Sequence, residues 1–218
     1  MTKAPNNRVC VIQFAKLPEL HRVKTRMQPH LTPAQSLELH CDLTEHSFQM
    51  LSGSLFWDYQ IWVTARSEVP DFFGTLTVGD SAEVHLQQGA DLGERMAHAL
   101  QSVLARYRYA IIIGSDCPQL DQLHLNQLVA RLQEGDQAAL VPACDGGYVA
   151  LGLSEFSESI FKQVDWGTDK VLAQTLERIN ALNWRCFLAE PLADVDRVED
   201  LNELSDFEWG KKWSALVS

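Results

Sequence analysis

Val9-Cys10-Val11-Ile12-Gln13-Phe14-Ala15 reads as a buried strand, and Lys16, Arg22, Lys24 and Arg26 follow it at once. The chain as a whole has a formal net charge of -11, so four cations this close together stand out. Open α/β sheets bind their ligands in loops that leave the carboxyl ends of parallel strands. Positive charge gathered there points to an anionic small molecule, most simply a phosphate chain. A solvated surface turn is the competing reading from charge alone.

Short apolar runs alternate with helical patterns through all 218 residues. Thr32-Pro33-Ala34-Gln35 supplies an N-cap, a proline at the first helical position and a capping-box glutamine. Leu37, Cys41, Thr44, Phe48 and Leu51 then recur at helical steps, with Gly53 as the stop. Strands are expected at Tyr59–Thr64, Glu83–Gln87, Tyr109–Ile113, Ala138–Pro142, Tyr148–Leu153 and Trp184–Leu188. Helices are expected at Leu92–Tyr107, Leu120–Leu132, Ser157–Gln163, Asp169–Leu182, Val198–Leu204 and Asp206–Val217. The alternation predicts one α/β domain over 1–218, a mostly parallel sheet with helices on both faces. Trp209, Trp213 and Leu216 share a side of the last helix, which either packs on its own core or forms a homodimer contact.

Bulk composition narrows the function. An acidic chain lacks the broad basic face of a nucleic-acid binder, and an anionic membrane surface is disfavoured for the same reason. No apolar run approaches the ~18 residues of a membrane span. The five cysteines contain no Cys-x-x-Cys pair, which suggests reduced thiols in a cytoplasmic protein. The seven histidines show no metal-ligand spacing. Lys24-Thr25 lacks the glycines of a Walker A loop, and Ser115 lacks the second glycine of a nucleophile elbow.

Gly114-Ser115-Asp116-Cys117-Pro118 follows the most apolar strand, so Asp116 would stand at a rigid strand end. A carboxylate there suits Mg²⁺, which takes one or two carboxylates plus phosphates and water. A turn or N-cap aspartate is an equal alternative. In Asp194-Val195-Asp196 the acids sit two apart and would face one way if extended, with Asp196 the better ligand. Glu199 and Asp200 read as solvated first-turn acids. Asp145-Gly146-Gly147-Tyr148 is either a ligand-approaching loop or a plain hairpin turn. Gly93-Glu94-Arg95-Met96 opens a helix whose amides could hold a phosphate or ribose edge.

Phe14-Ala15-Lys16-x-Pro18 and Val23-Lys24-Thr25-Arg26, with the four motifs above and Trp166-x-Thr168, resemble the rSAM/selenodomain-associated transferases. These are often labelled glycosyltransferases, largely by inference. The resemblance runs in order along nearly the whole chain. It implies a Rossmann-like sheet of GT-A type, the nucleotide-diphospho-sugar transferase fold, with wider relatives among the guanylyltransferases of molybdenum-cofactor and deazaflavin-cofactor biosynthesis. It further implies a Mg²⁺ (or Mn²⁺)-dependent transferase that uses a nucleotide or nucleotide-sugar donor and a small-molecule acceptor. Lys16, Lys24, Thr25, Arg26, Gly93 and Arg95 would hold the nucleotide, and Asp116 and Asp196 the metal. Lys24 and Asp116 would be catalytic. Asp145, Gly146, Gly147, Tyr148, Trp166 and Thr168 would line the acceptor side. Two positions depart from the pattern: His21 stands where the family has glycine, and Gly167 where it usually has serine. Retention of the fold by a non-catalytic nucleotide sensor is the alternative function.

Overall fold

The computed structural model describes residues 6–52, 54–65, 72–77 and 82–217, so Gly53 lies outside it. Strands β1 (Asn6–Ala15), β2 (Trp57–Val63), β3 (Glu83–Leu86), β4 (Tyr107–Ile113), β5 (Ala138–Pro142), β6 (Tyr148–Leu153) and β7 (Cys186–Leu188) form one sheet. Their order is β3-β2-β1-β4-β6-β5-β7. All neighbouring pairs are parallel except those of β6, which runs antiparallel to both β4 and β5. The cause is local. After β5 the chain reverses at once, with the Ala143 N–H donating to the Gly147 carbonyl at 3.0 Å. A connection that short can only return the chain antiparallel.

Helices α1 (Pro33–Leu51) and α4 (Gln122–Gln133) cover one face of the sheet, and α3 (Leu92–Leu104) and α5 (Val171–Ala181) the other. A short α2 (Phe72–Leu76), which no periodicity announced, lies between β2 and β3. β1 and β4 are covered on both sides, which explains their unbroken apolar runs. Val11 and Ile111 turn to the α1/α4 core, while Cys10, Ile12 and Ile112 turn to the α3 core.

The Thr32 capping box forms as expected: the Gln35 N–H donates to Thr32 Oγ1 at 3.2 Å and the Thr32 N–H to Gln35 Oε1 at 2.9 Å. The buried stripe of α1 keeps Thr44, Phe48 and Leu51 of the expected one and departs from it towards the helix start. Leu37 and Cys41 are only half-buried, whereas Ser36, Leu39, His40, Leu43 and Ser47 also face inward. Helix α1 therefore also buries small and polar groups that periodicity of apolar residues alone does not pick out.

The carboxyl-terminal third is less helical than its pattern suggested. Glu158–Phe161 and Val198–Leu204 are 3-10 turns, and the last segment is a 3-10 turn followed by α6 (Lys211–Ser214). Tyr107 belongs to β4 and does not extend α3. The tryptophans of the last segment pack within the chain. Trp213 Nε1 donates to Asp42 Oδ2 at 2.9 Å and Trp209 Nε1 to His46 Nδ1 at 3.1 Å, both on α1. Leu216 is exposed. A third apolar cluster joins Met27 and Leu31 to Leu39 and Leu43 of α1, and to Val195, Leu201, Leu204 and Trp213. It clamps the basic loop against the segment that carries Asp194 and Asp196.

Candidate active site

β1 lies between β2 and β4, so the chain leaves it in one direction and returns on its other side. Crevices at such switch points are the ligand sites of open α/β sheets. Here the crevice receives the loop after β1, Gly114–Asp116 after β4, the 143–147 turn and the 192–196 segment. The last of these pairs with the end of β5 through a parallel bridge between Ala143 and Leu192. The Val195 N–H donates to the Asp116 carbonyl at 2.8 Å, which ties two of the expected acidic elements together.

Gln13 organises the strand ends. It is fully buried near the carboxyl end of β1, where an unpaired amide would be costly. Its Nε2 donates to the Thr44 carbonyl of α1 at 3.1 Å and to Ser115 Oγ at 2.9 Å, while the Tyr59 hydroxyl donates to its Oε1. Ser115 Oγ in turn donates to the Phe14 carbonyl at 3.0 Å. Three elements thus converge on the residue preceding Asp116. His40 does the same for Lys16: its Nε2 lies 3.0 Å from the Lys16 carbonyl. Burial lowers the His40 pKa, against an opposing pull from Asp116.

The basic loop divides its cations. Lys24 adopts a left-handed backbone (φ 48°) and its side chain is only 3% exposed. Its Nζ donates to the Val195 carbonyl at 2.5 Å and contacts Asp116 Oδ1 at 2.6 Å. The Asp116 side chain is 47% exposed, so Lys24 holds one oxygen and the carboxylate still opens to solvent. Burial raises the Asp116 pKa, but Lys24, His40 and Lys16 together outweigh it and the net direction is down. Lys16 and Arg26 are exposed, and Arg26 Nη1 pairs with Asp196 Oδ2. Thr25 is exposed beside them, and Arg22 reaches Glu19, at 3.5 Å. His21 has φ 66°, a conformation for which glycine is the default residue.

Val195 is buried, and the acids on either side of it reach the crevice. The Asp194 pKa rises to about 6, first from burial and then from Asp145, with Asp116 and Asp196 adding to it. Asp200 is not a free surface acid. Its Oδ2 accepts the N–H groups of Asp196 and Arg197 at 2.9 and 2.6 Å and fixes the turn after Asp196. Among the described residues no three His, Cys, Asp or Glu side chains are spaced to hold an ion by themselves. Mg²⁺ does not require that, since it keeps waters and shares phosphate oxygens. A half-open Asp116 and the gathering of Asp145 and Asp196 about Asp194 fit such a cation.

The remaining motifs meet each other across a neighbouring cleft. Asp145–Tyr148 forms the β5–β6 hairpin, with the Gly147 N–H donating to Asp145 Oδ1 at 2.9 Å. Gly146 has φ 94°, and a Cβ there would fall 2.3 Å from the Asp169 carbonyl oxygen, so the turn needs glycine for shape and packing. A Cβ on Gly93 would lie 2.5 Å from Trp166 Nε1, which makes Gly93 the seat of the Trp166 indole. Asp91 caps α3 through the Glu94 N–H at 2.8 Å, and Arg95 Nε donates to the Gly89 carbonyl at 3.1 Å. The structure therefore gives Gly93 and Arg95 local partners. Thr168 Oγ1 donates to the Asp165 carbonyl at 2.7 Å.

Residues 49–168 match the model of a family described as an uncharacterized protein conserved in bacteria (DUF2064), more than half of the chain. The chain belongs to this family. None of the curated proteins matches the sequence significantly. A solved structure from Desulfovibrio desulfuricans G20, provisionally called a nucleotide-diphospho-sugar transferase, is 28% identical, with a TM-score of 0.84. The match covers 96% of this chain and 93% of that one. A cytidylyltransferase from Leptospira borgpetersenii serovar Hardjo-bovis (strain JB197) is 12% identical with a TM-score of 0.56, over 97% of this chain and 93% of the other. CMP:2-keto-3-deoxy-manno-octonic acid synthetase, solved with CTP, is 10% identical with a TM-score of 0.57, over 94% and 99%. At such identities the last two speak for the fold alone. The architecture is that of the nucleotide-diphospho-sugar transferases.

Proposed function

We propose that this DUF2064 protein is a transferase that takes a nucleotide or nucleotide-sugar donor at the end of β1 and passes part of it to a small-molecule acceptor. The observation that carries this reading is the convergence on one switch-point crevice of exposed cations, Lys16 and Arg26, with the acids Asp116, Asp194 and Asp196. Support comes from the Desulfovibrio neighbour and from the CTP-bound synthetase of the same fold.

In this reading Lys16 and Arg26 grip the donor phosphates and offset charge that grows on the leaving group, the main electrostatic task of such a transfer. Lys24, spent on Asp116 and Val195, holds the acid in place and closes the loop over it. Asp116 and Asp196, with Asp194 beside them, would hold the divalent cation. That cation would supply Lewis-acid neutralisation of the phosphates. The hairpin and Trp166 border the acceptor, whose placement lowers the barrier by orientation. In nucleotidyl transfer an acceptor oxygen bonds to the α-phosphorus and pyrophosphate leaves. In glycosyl transfer it bonds to the sugar carbon and a nucleoside diphosphate leaves.

Product analysis with a panel of nucleoside triphosphates and nucleotide sugars, with Mg²⁺ or Mn²⁺, tests the proposal. Pyrophosphate or nucleoside diphosphate release that disappears in Asp116→Asn is the expected result. Absence of binding by every donor in the presence of metal would overturn it.

A further inference from the structure

Beside the charged crevice lies a second cleft of about 220 Å³, and the two share Arg26, Asp145, Gly167 and Thr168 at their common rim. The second cleft differs in chemistry. Phe14, Leu92, Met96, Tyr148, Trp166 and Val171 form its walls. Two of its polar side chains are engaged within the chain. Thr168 Oγ1 donates to Asp165 and accepts the Lys170 N–H at 3.3 Å, and Asp145 Oδ1 accepts from Gly147. The Tyr148 hydroxyl is buried beside Thr175, so the ring and not the oxygen meets the cleft. Arg26 faces Asp196 at the rim.

A pyranose entering this space would lose water from several hydroxyls and find few side chains to replace it, each loss weakening binding several-fold. An apolar ring or short branched chain would instead bury itself against three aromatic faces and Leu92, gaining about tenfold or more in affinity. The volume also sets a limit, since sites for whole drug-sized ligands span about 300–1,000 Å³. The space suits a group of phenyl to indole size, not a complete nucleoside.

We infer that the acceptor has a compact apolar body that lies in this cleft and an oxygen-bearing, anionic or hydroxyl end at the Arg26 rim. This inference rests on the transferase reading for the word acceptor; the preference for an apolar body rests on the cleft alone. It narrows the substrate class from any small alcohol or phosphate to aryl or branched alkyl ones, and it disfavours free sugars and sugar phosphates as acceptors.

Benzyl phosphate and glucose 1-phosphate share their charged end and differ in their body, so their ratio of affinities isolates the cleft. Titrated by calorimetry into the purified chain with Mg²⁺, benzyl phosphate should bind at least about tenfold more tightly. Leu92 is 44% exposed at the start of α3, so Leu92→Gln should fold normally. It should cut the ratio about threefold or more, and Leu92→Met should restore it. Equal or weaker binding of benzyl phosphate, no binding of either compound, or a ratio unmoved by Leu92→Gln overturns the inference. CTP and GTP titrated into the same sample separate the two ideas. Nucleotide binding without the body preference defeats only this inference. The body preference without any nucleotide binding upholds the apolar cleft and defeats the transferase reading.

Discussion

Lys24 and Arg26 sit two residues apart in one loop, yet their surroundings differ completely. The Lys24 side chain is 3% exposed and ties Asp116 to Val195; that of Arg26 is 57% exposed and meets Asp196 at the rim. A buried charge must have its partners or it is strongly destabilising, whereas an exposed pair contributes little to stability and is screened by salt. One cation therefore builds the site, and its neighbour is free to serve a ligand. Charge clustering in sequence does not distinguish these jobs.

That contrast breaks first at Asp116. Asp116→Asn should reduce turnover by about a hundredfold or more, and Lys24→Met by a similar factor through loss of its placement of Asp116. Initial rates with the active donor measure both. If Lys24→Met instead raises only the donor KM, Lys24 is a ligand cation like Arg26 and the distinction is wrong.

Gln13→Leu comes next. It removes the acceptor of the Tyr59 hydroxyl bond and the links to Ser115 and the Thr44 carbonyl, so a loss of roughly 2–3 kcal/mol in urea unfolding is expected. Arg26→Ala should leave stability nearly unchanged and weaken donor binding about tenfold, a deficit that shrinks as salt rises. Equilibrium titration at two ionic strengths reads it.

Acid sharpens the same comparison. The folded pKa of Asp116 lies below its unfolded value, so its stabilising effect is present above the unfolded pKa of ~3.9 and fades as pH falls through the folded one. The urea midpoint should fall on acidification through that window, and less steeply in Lys24→Met. The smallest effect belongs to His21→Gly. Relief of the left-handed backbone and the added freedom of the unfolded chain nearly cancel, within about 0.5 kcal/mol.

Much of the fold was legible because its signals are local. The Val9–Ala15 and Tyr109–Ile113 runs mark strands covered on both faces, and Thr32 to Gln35 marks a helix start with its own hydrogen bonds. The antiparallel β6 is half-visible in the sequence, since Asp145-Gly146-Gly147 also suits a hairpin turn. Other features were hidden because they depend on partners far along the chain. Gln13 was one polar residue in an apolar run, and only β2, α1 and the Ser115 turn, brought together, explain it. Asp200 looked solvated until its oxygen was found on the Asp196 and Arg197 amides. That Gly93 must be glycine for Trp166 to pack against it was likewise invisible locally, because Trp166 fills the space where its side chain would be.

By itself, then, the sequence determined which segments become the strands and the longer helices, and that cations follow β1 and acids follow β4 and β7. Hydrophobic periodicity, turn residues and capping are properties of neighbours in the chain. Tertiary structure alone decided that Lys24 is an internal tie and Arg26 a rim cation, and that the cleft at the hairpin is apolar. Burial and pairing are set by contacts between residues far apart in the chain, and no local pattern encodes which side of a carboxylate meets water.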